Sequence, residues 1–215
     1  MNRKKELKKL KDYRRALYNI DMVQGFVNIG PMSNKEYNKL VPEQLKFLED
    51  FKTSNDCINF IGEGHSENAL EFESYPKHCV IGTEEAEFIK EFRNYLDLKN
   101  TRIYRKNSIN GMFNDQLRKD ILEMTNLDIC VFVGVCEDLC VMDFVRTYAR
   151  YLDEINRKVN LFVIEDAVDT FDSANHSRSE WKRIARMVME QAGVIYVKDY
   201  AEFKEKEKVL MLGGK

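Results

Sequence analysis

The chain has few of the residues that interrupt a polypeptide or divide it into parts. Its 215 residues include only three prolines and ten glycines, and the sequence shows no Pro/Gly-rich linker, internal repeat or low-complexity stretch. One domain typically holds ~100–200 residues. We therefore predict a single domain over residues 1–215. Its basic start, residues 1–13, is predicted to be a solvated helical extension, with a partner-binding arm as the alternative.

The sequence also has no large excess of charge of one sign and no long apolar run. The 34 Lys and Arg residues nearly balance the 36 Asp and Glu residues, for a formal net charge of -2, which gives no broad attraction for nucleic acid or an anionic membrane. No apolar run approaches the ~18–20 residues of a membrane span, and the charged first residues do not resemble a signal peptide. We expect a cytoplasmic protein that binds a small molecule, and neither nucleic acid nor a membrane.

Cysteines are few and odd in number: Cys57, Cys79, Cys130, Cys136 and Cys140. An odd set in a mid-sized chain argues against a disulfide framework and for reduced thiols. At least one of these thiols is therefore a candidate for chemistry.

Short apolar runs rich in β-branched and aromatic residues alternate with longer segments of helical spacing. The predicted strands are Ala16–Met22, Ile58–Ile61, Arg102–Tyr104, Ile129–Val135, Leu161–Ile164 and Val194–Val197. The predicted helices are Pro42–Lys52, Glu84–Leu96, Asn114–Glu123, Asp138–Leu152 and Ser177–Gln191. Such alternation is typical of right-handed βαβ crossovers. The sequence therefore predicts an α/β fold of three layers, α/β/α, around a mostly parallel central sheet.

Polar and reactive side chains follow four of the predicted strands. Asp21 ends the first, Glu63-Gly64-His65 follows the second, Lys106 follows the third, and Cys136–Cys140 follows the fourth. The carboxyl ends of parallel strands share one edge of a sheet, where ligands bind in open α/β folds. Each position alone is weak evidence, since polar residues at strand ends also cap helices. Together they predict one site.

A carboxylate, an ammonium and a thiol at one edge can form a nucleophilic set, because a thiol reacts as the thiolate and needs a nearby base or positive charge. Cys140 is the best-placed thiol, since it follows a turn and opens the helical segment Val141–Leu152, whose N-terminal dipole favours anions. Cys136 is the rival. The alternative for both is packing in the core, which is the commoner fate of cysteine. The other three cysteines are assigned to packing.

A second group of residues has the chemistry of a metal site. Glu63 and His65 lie on one short loop, and Glu71 and His78 follow. Imidazole and carboxylate ligands together suit zinc, manganese or iron(II). A solvated polar loop is the alternative interpretation. The third histidine, His176, lies in a polar stretch before a helix, where we expect capping or exposure to solvent.

Several motifs together resemble the isochorismatase-like cysteine hydrolases. They are Ile20–Phe26 (IDMVQGF), Lys106, Gly134–Val141 (GVCEDLCV), Tyr75–Thr83 (YPKHCVIGT) and Glu165–Thr170 (EDAVDT). The similarity runs from about residue 16 to residue 200, in the order and spacing of that family. It implies the isochorismatase-like hydrolase fold.

The resemblance also implies a mechanism. Cys140 would attack an amide carbon while Asp21 takes the thiol proton and returns one to the departing ammonia, and Lys106 would balance the charge. The resulting thioester would then be hydrolysed. A cis peptide bond would join Val135 to Cys136, and the amides of Cys136 and Cys140 would form the oxyanion hole.

Within that family, nicotinamidases bind a metal that holds the pyridine nitrogen of nicotinamide, and Glu63, His65, Glu71 and His78 fall where their ligands fall. The resemblance therefore implies a divalent ion at these four residues, zinc first, with manganese or iron as alternatives. Glu63 stands where the usual ligand is an aspartate.

Two further positions concern the substrate. Phe26 matches a family position whose ring packs on the pyridine, and Ile109 stands near the place of a second stacking aromatic. The resemblance favours a homo-oligomer that converts nicotinamide to nicotinate and ammonia, a step of NAD salvage. Two other hypotheses remain open: a cysteine hydrolase, with or without a metal, for another small amide or ureido compound, and a non-catalytic module that binds a small ligand.

Overall fold

A parallel six-stranded sheet forms the centre of the computed structural model, which describes residues 8–213. The strands are β1 (Arg15–Ile20), β2 (Cys57–Glu63), β3 (Thr101–Lys106), β4 (Ile129–Val135), β5 (Asn160–Asp169) and β6 (Ile195–Val197). They lie in the order β3-β2-β1-β4-β5-β6, and every neighbouring pair is parallel. All six predicted strands are confirmed, β4 with the predicted bounds and the other five with shifted bounds.

Helices cover both faces of this sheet, which confirms the three-layer α/β/α architecture. They are α1 (Gln24–Val27), α2 (Val41–Ser54), α3 (Arg93–Leu96), α4 (Asp115–Glu123), α5 (Met142–Glu154), α6 (Arg178–Gln191) and α7 (Tyr200–Gly213). One face packs against α4, α5 and α6, with Leu117 and Phe144 in its core. The other packs against α2 and α7, with Phe47 and Phe203 in its core. No helix within residues 8–213 combines the length and the apolar character needed to cross a bilayer.

The prediction of one helix over Glu84–Leu96 is wrong. The structure has two short 3-10 turns and the four-residue α3 in its place. The backbone of this segment bonds elsewhere: the Gln24 amide donates to the Glu87 carbonyl at 2.7 Å, and the Ile89 amide donates to the Met22 carbonyl at 3.1 Å. Because these backbone groups are satisfied across the chain, they do not form the ladder of a continuous helix.

The two ends of the chain also differ from the sequence pattern. Residues 8–13 of the predicted helical extension contain one 3-10 turn, Leu10–Asp12, and Tyr13 is buried. Residues 1–7 of that prediction lie outside the described residues. At the other end, helical spacing does not predict α7. Of its residues 200–211, only Phe203 and Glu207 are buried, so the apolar stripe that marks a helix in sequence is missing.

A crevice opens where β1 lies beside β4. Chain connections leave this point in opposite directions, to β2 and β3 on one side and to β5 and β6 on the other, and such switch points bind ligands at the carboxyl ends of the strands. Gly134 permits the close approach of the two strands. A Cβ atom on this residue would lie 2.0 Å from the Ile20 carbonyl oxygen. The residues that follow the two strands, Asp21 and Cys136, therefore lie at the same end of the sheet.

Candidate active site

Lys106 brings a carboxylate and a thiol together at the end of the sheet. It ends β3, which is separated from β1 by β2, so its side chain crosses the end of β2. Its Nζ lies 2.8 Å from Asp21 Oδ2 and 3.7 Å from Cys140 Sγ. All three side chains are buried. The structure thus brings together the three residues that the sequence predicts as a nucleophilic set.

Asp21 is positioned by its backbone. Its φ of 55° lies in the left-handed region, which aspartate tolerates better than bulky residues, and its amide donates to the Ile61 carbonyl at 2.8 Å. Neither carboxylate oxygen has an aligned hydrogen-bond donor among residues 8–213, so its contact with Lys106 is an ion pair. The carboxylate keeps lone pairs with which to accept a proton.

Burial sets the protonation states of these groups. It raises the pKa of Asp21 to about 6, against the lowering effect of Lys106. It also raises the pKa of the Cys140 thiol well above its usual range, and attraction to Lys106 offsets only part of that. Burial acts to lower the pKa of Lys106, but the surrounding anions outweigh it and hold that pKa well above its usual range. The site therefore pairs a neutral thiol with a carboxylate, and such a thiol needs a base to react.

Cys140 lies in a turn of π-helix, Glu137–Val141, between β4 and α5. The sequence predicts that Cys140 opens the following helix, but α5 begins only at Met142. Two amides of the turn donate to the Cys136 carbonyl, at 3.2 and 3.1 Å, and close it. The π turn, rather than the first turn of α5, therefore sets the position of the thiol.

The rival thiol, Cys136, stands at the start of this turn. The peptide bond between Val135 and Cys136 is cis, at the bond that the family resemblance indicates. Cys136 Sγ lies 3.3 Å from the Tyr37 hydroxyl, and burial raises the pKa of this thiol to about 12. Both thiols line one cavity. Of the two, Cys140 contacts Lys106, which favours it as the nucleophile.

Four side chains beside this set bring metal-ligand atoms together. One atom each from Glu63, His65, Glu71 and His78 lies within 4.8 Å of the others. Glu63 Oε2 lies 3.0 Å from His65 Nε2 and 2.9 Å from His78 Nε2. Two imidazole nitrogens and two carboxylates could hold zinc, manganese or iron(II).

The remaining ring nitrogens of the two histidines face acceptors. His78 Nδ1 lies 2.7 Å from the Pro76 carbonyl oxygen, and His65 Nδ1 lies 3.3 Å from Asn107 Oδ1. These contacts favour a proton on Nδ1 and leave Nε2 to bind a cation, the usual arrangement of metal-binding histidines. Burial acts to raise the pKa of Glu63, but the neighbouring ammonium and the two imidazoles hold it well below its usual range. The donor set therefore fits a divalent ion.

A cavity of about 550 Å³ opens beside Cys140. Its wall includes Phe26 and Ile109, the two positions that the resemblance links to substrate, and it also includes Glu63, Glu71 and His78. The Phe26 and His78 ring centroids are 5.4 Å apart. The loops that precede α2 and follow β5 complete the wall. The thiol, three of the four candidate metal ligands and an aromatic ring thus line one cavity.

Three residues of the site are not predicted in these roles. Asn107 directly follows Lys106 at a strand end, so the strand-end rule could have indicated it. Tyr37 lies in a 3-10 helix, Lys35–Leu40, with no sequence signal for its contact with Cys136. The expectation that His176 caps a helix or faces solvent is wrong, because its ring is half-buried and hydrogen-bonded within the fold.

Known proteins resemble this chain along most of its length. A family model described as Isochorismatase domain matches residues 15–197. Nicotinamidase 1 of Arabidopsis thaliana is 28% identical over 178 residues, which cover 76% of this chain and 72% of that protein. The solved structure of the pyrazinamidase of Pyrococcus horikoshii in complex with zinc is 25% identical, with a TM-score of 0.68, and the match covers 86% of this chain and 99% of that one. The N-carbamoylsarcosine amidase of Thermoplasma acidophilum is also 25% identical, with a TM-score of 0.67 and coverage of 86% and 96%.

Proposed function

The chain belongs to the isochorismatase family, and we propose that it is a cysteine amidohydrolase that converts nicotinamide and water to nicotinate and ammonia. One observation carries the proposal: Cys140, which contacts the buried Asp21–Lys106 ion pair, lines a cavity together with Glu63, Glu71 and His78 of the four-residue candidate metal site. The similarity to a plant nicotinamidase and to an archaeal pyrazinamidase supports the choice of substrate.

The first half of the reaction forms a thioester. Cys140 Sγ attacks the amide carbon, and the thiol proton passes to Asp21, whose carboxylate has an oxygen within 4.8 Å of the sulfur. The carbon–nitrogen bond then breaks as Asp21 returns the proton to the departing nitrogen, which leaves as ammonia. Lys106 stays charged throughout and stabilises whichever of the two groups is the anion.

The second half of the reaction hydrolyses the thioester. Asp21 takes a proton from a water molecule as its oxygen attacks the acyl carbon, and the carbon–sulfur bond breaks. The proton then returns to the Cys140 thiolate, and the carboxylic acid product ionises. In both halves the amides of Cys136 and Cys140 are proposed to donate to the negatively charged oxygen.

The residues that would hold a divalent metal are Glu63, His65, Glu71 and His78. When bound, the metal would supply a Lewis acid for the pyridine nitrogen of nicotinamide, with zinc as the first choice and manganese or iron(II) as alternatives. Phe26 lies beside the cluster and would pack on the face of the pyridine, and Ile109 would add apolar contact.

Ammonia release from nicotinamide tests the proposal. The purified protein, supplied in turn with zinc, manganese and iron(II), is expected to release ammonia, and its bound metal is measured on the same sample. Cys140→Ala should abolish the release. Cys130→Ala, which removes a thiol from the core and not from the cavity, is the matched control and should retain it. The proposal fails if the wild-type protein releases no ammonia or if Cys140→Ala remains active.

Another small amide or ureido compound is the second candidate substrate. Two observations favour it: the similarity to an N-carbamoylsarcosine amidase, and a cavity of about 550 Å³, which has room for more than a pyridine ring. Nicotinamide, pyrazinamide and N-carbamoyl amino acids should be compared by kcat/KM. A higher kcat/KM for an N-carbamoyl compound than for nicotinamide would identify that compound as the preferred substrate.

Cellular location and assembly remain predictions. All five cysteines are unpaired thiols, which supports a reducing compartment such as the cytoplasm. The family resemblance supports a homo-oligomer, and light scattering on the purified protein would measure its mass in solution.

A further inference from the structure

The loop that follows β5 holds a histidine in a fixed orientation. Within residues 171–177, Ser173 and His176 exchange backbone hydrogen bonds of 3.0 and 3.1 Å, which close a tight turn. The His176 ring stacks on two aromatic rings and is nearly parallel to both. Its centroid is 3.9 Å from that of Phe171 and 5.0 Å from that of Trp181. The turn holds the backbone of His176, and the two rings add packing against the imidazole.

Both nitrogens of this imidazole face acceptors. His176 Nε2 lies 2.7 Å from Asp138 Oδ2, and Nδ1 lies 3.2 Å from the Phe171 carbonyl oxygen. A ring N–H that points at a carboxylate donates a hydrogen bond to a charged acceptor. Hydrogen bonds with one charged partner are shorter and stronger than those between neutral groups. The hydrogen bond with His176 therefore firmly restrains the position of the Asp138 carboxylate.

Asp138 lies inside the π turn, two residues before Cys140, and is 2% exposed. Its other oxygen, Oδ1, has no hydrogen-bond partner among residues 8–213, so the restraint on this carboxylate comes from His176. Phe171 and Asp172, on the same loop as His176, line the cavity beside the thiol. One contact thus joins the cavity wall to the turn that carries the nucleophile.

We infer that His176 is a positioning residue for the hydrolysis, an inference that rests on the proposed function. Its contact with Asp138 holds the π turn in place. When the π turn is held in this position, the Cys140 thiol stays beside Lys106. A misplacement of about 1 Å can lower a catalytic rate on the order of 100-fold, so a restraint this close to the nucleophile acts on kcat rather than on substrate binding.

Three variants separate the hydrogen bond from the aromatic stack. His176→Phe keeps an aromatic ring against Phe171 and Trp181 and removes the donor, so kcat for nicotinamide should fall about tenfold or more with KM near the wild-type value. His176→Gln offers an amide donor at comparable reach and should restore most of kcat. Trp181→Leu removes part of the stack and keeps the donor, so it should lower thermal stability and leave kcat unchanged.

A readout that needs no substrate accompanies the kinetics. Hydrogen exchange of the amides in residues 136–141 should become about tenfold faster in His176→Phe, the change expected when one charge-assisted hydrogen bond is lost. It should stay at the wild-type rate in Trp181→Leu.

Three results would overturn the inference. They are wild-type exchange in His176→Phe, a His176→Gln variant as impaired as His176→Phe, and a Trp181→Leu variant that loses as much kcat. If the wild-type protein releases no ammonia, the proposed function fails, and the exchange comparison alone decides the role of His176.

Discussion

Glu63 and Lys106 are directly opposite one another on β2 and β3, and Glu63 Oε1 accepts a hydrogen bond of 2.9 Å from Lys106 Nζ. The other oxygen of the same carboxylate faces His65 and His78. One side chain therefore belongs both to the candidate metal site and to the group around Cys140. A change in the charge of Glu63 therefore alters the electrostatic environment of both groups.

Replacement of Glu63 with Gln tests this double role. Glu63→Gln keeps the length of the side chain and removes its charge, so divalent metal affinity should fall on the order of 10–100-fold or more. Metal retained after dialysis, measured by elemental analysis, is the readout. Glu71→Gln is the matched control. Glu71 is only half-buried at the edge of the four-residue group, so its replacement should lower metal affinity less. Equal metal retention in Glu63→Gln and wild type would contradict the assignment.

Activity should depend on the ionisation of Asp21. The carboxylate is the proposed base, and burial raises its pKa to about 6. Protonation disables a base, so kcat/KM should be level above this pH and fall toward tenfold per pH unit below it. Asp21→Asn should lose on the order of 10²–10⁴-fold in kcat/KM.

The pH profile of the variant completes this test. The activity that remains in Asp21→Asn should lack the acid limb, while circular dichroism confirms that both proteins stay folded across the range. An acid limb of the same position in Asp21→Asn would assign the titration to another group.

The approach of β4 to β1 should tolerate only glycine at residue 134. Gly134 has φ +130°, and a Cβ atom there would lie 2.0 Å from the Ile20 carbonyl oxygen. Gly134→Ala should lower the free energy of unfolding by about 4 kcal/mol or more. Gly193→Ala is the control: its φ is +84° and no atom lies within 4 Å of the added Cβ, so only backbone strain of about 1–2 kcal/mol is expected. Urea unfolding measures both, and equal losses would contradict the role of close approach.

Arg15, at the start of β1, should be a main electrostatic contributor to stability. Its buried guanidinium lies 3.2 Å from Asp50, 2.7 Å from Asp56 and 2.5 Å from Glu207. Arg15→Met leaves buried carboxylates without this partner and should cost about 3–5 kcal/mol of unfolding free energy at neutral pH. Arg150→Met removes an exposed ion pair with Asp153 and should cost about 0–1 kcal/mol.

The loss in Arg15→Met should also depend on pH. Burial acts to raise the pKa of Asp50, but Arg15 outweighs it and the pKa is lowered. A carboxyl whose folded pKa is lowered stabilises the protein above its unfolded pKa of about 3.9, and this contribution disappears as the pH falls through the folded value. Urea unfolding at several pH values should therefore show the difference between Arg15→Met and wild type shrinking below about pH 4. A constant difference would assign the stabilisation to packing.

Much of this site could be predicted from local sequence pattern. The strand-end rule includes Asp21, Lys106 and Cys140 among its candidates, because an apolar run followed by a polar residue marks the carboxyl edge of a parallel strand. The family resemblance then narrows the chemistry to amide hydrolysis. Neither argument finds Tyr37, which reaches Cys136 from a 3-10 helix 99 residues away in sequence.

The errors share one physical cause. Apolar spacing over Glu84–Leu96 indicates that one face is buried, which is true of a helix and also of an irregular segment whose backbone bonds to residues 22–24. His176 looks like a solvated cap because its neighbours in sequence are polar, whereas its neighbours in space are Phe171 and Trp181. In both places the local pattern lacks the partners that the fold brings from elsewhere in the chain.

The sequence by itself determined the α/β class, the six strands and the candidate residues at the strand ends, because strand and helix periodicity and the polar strand ends are local properties of the chain. Tertiary structure alone decided how these residues meet. Strand order places β2 between β3 and β1, so the Lys106 side chain passes Glu63, 43 residues away in sequence, on its way to Asp21. Such contacts depend on which strands are neighbours and how far a side chain reaches. The periodicity of the sequence contains no information about either.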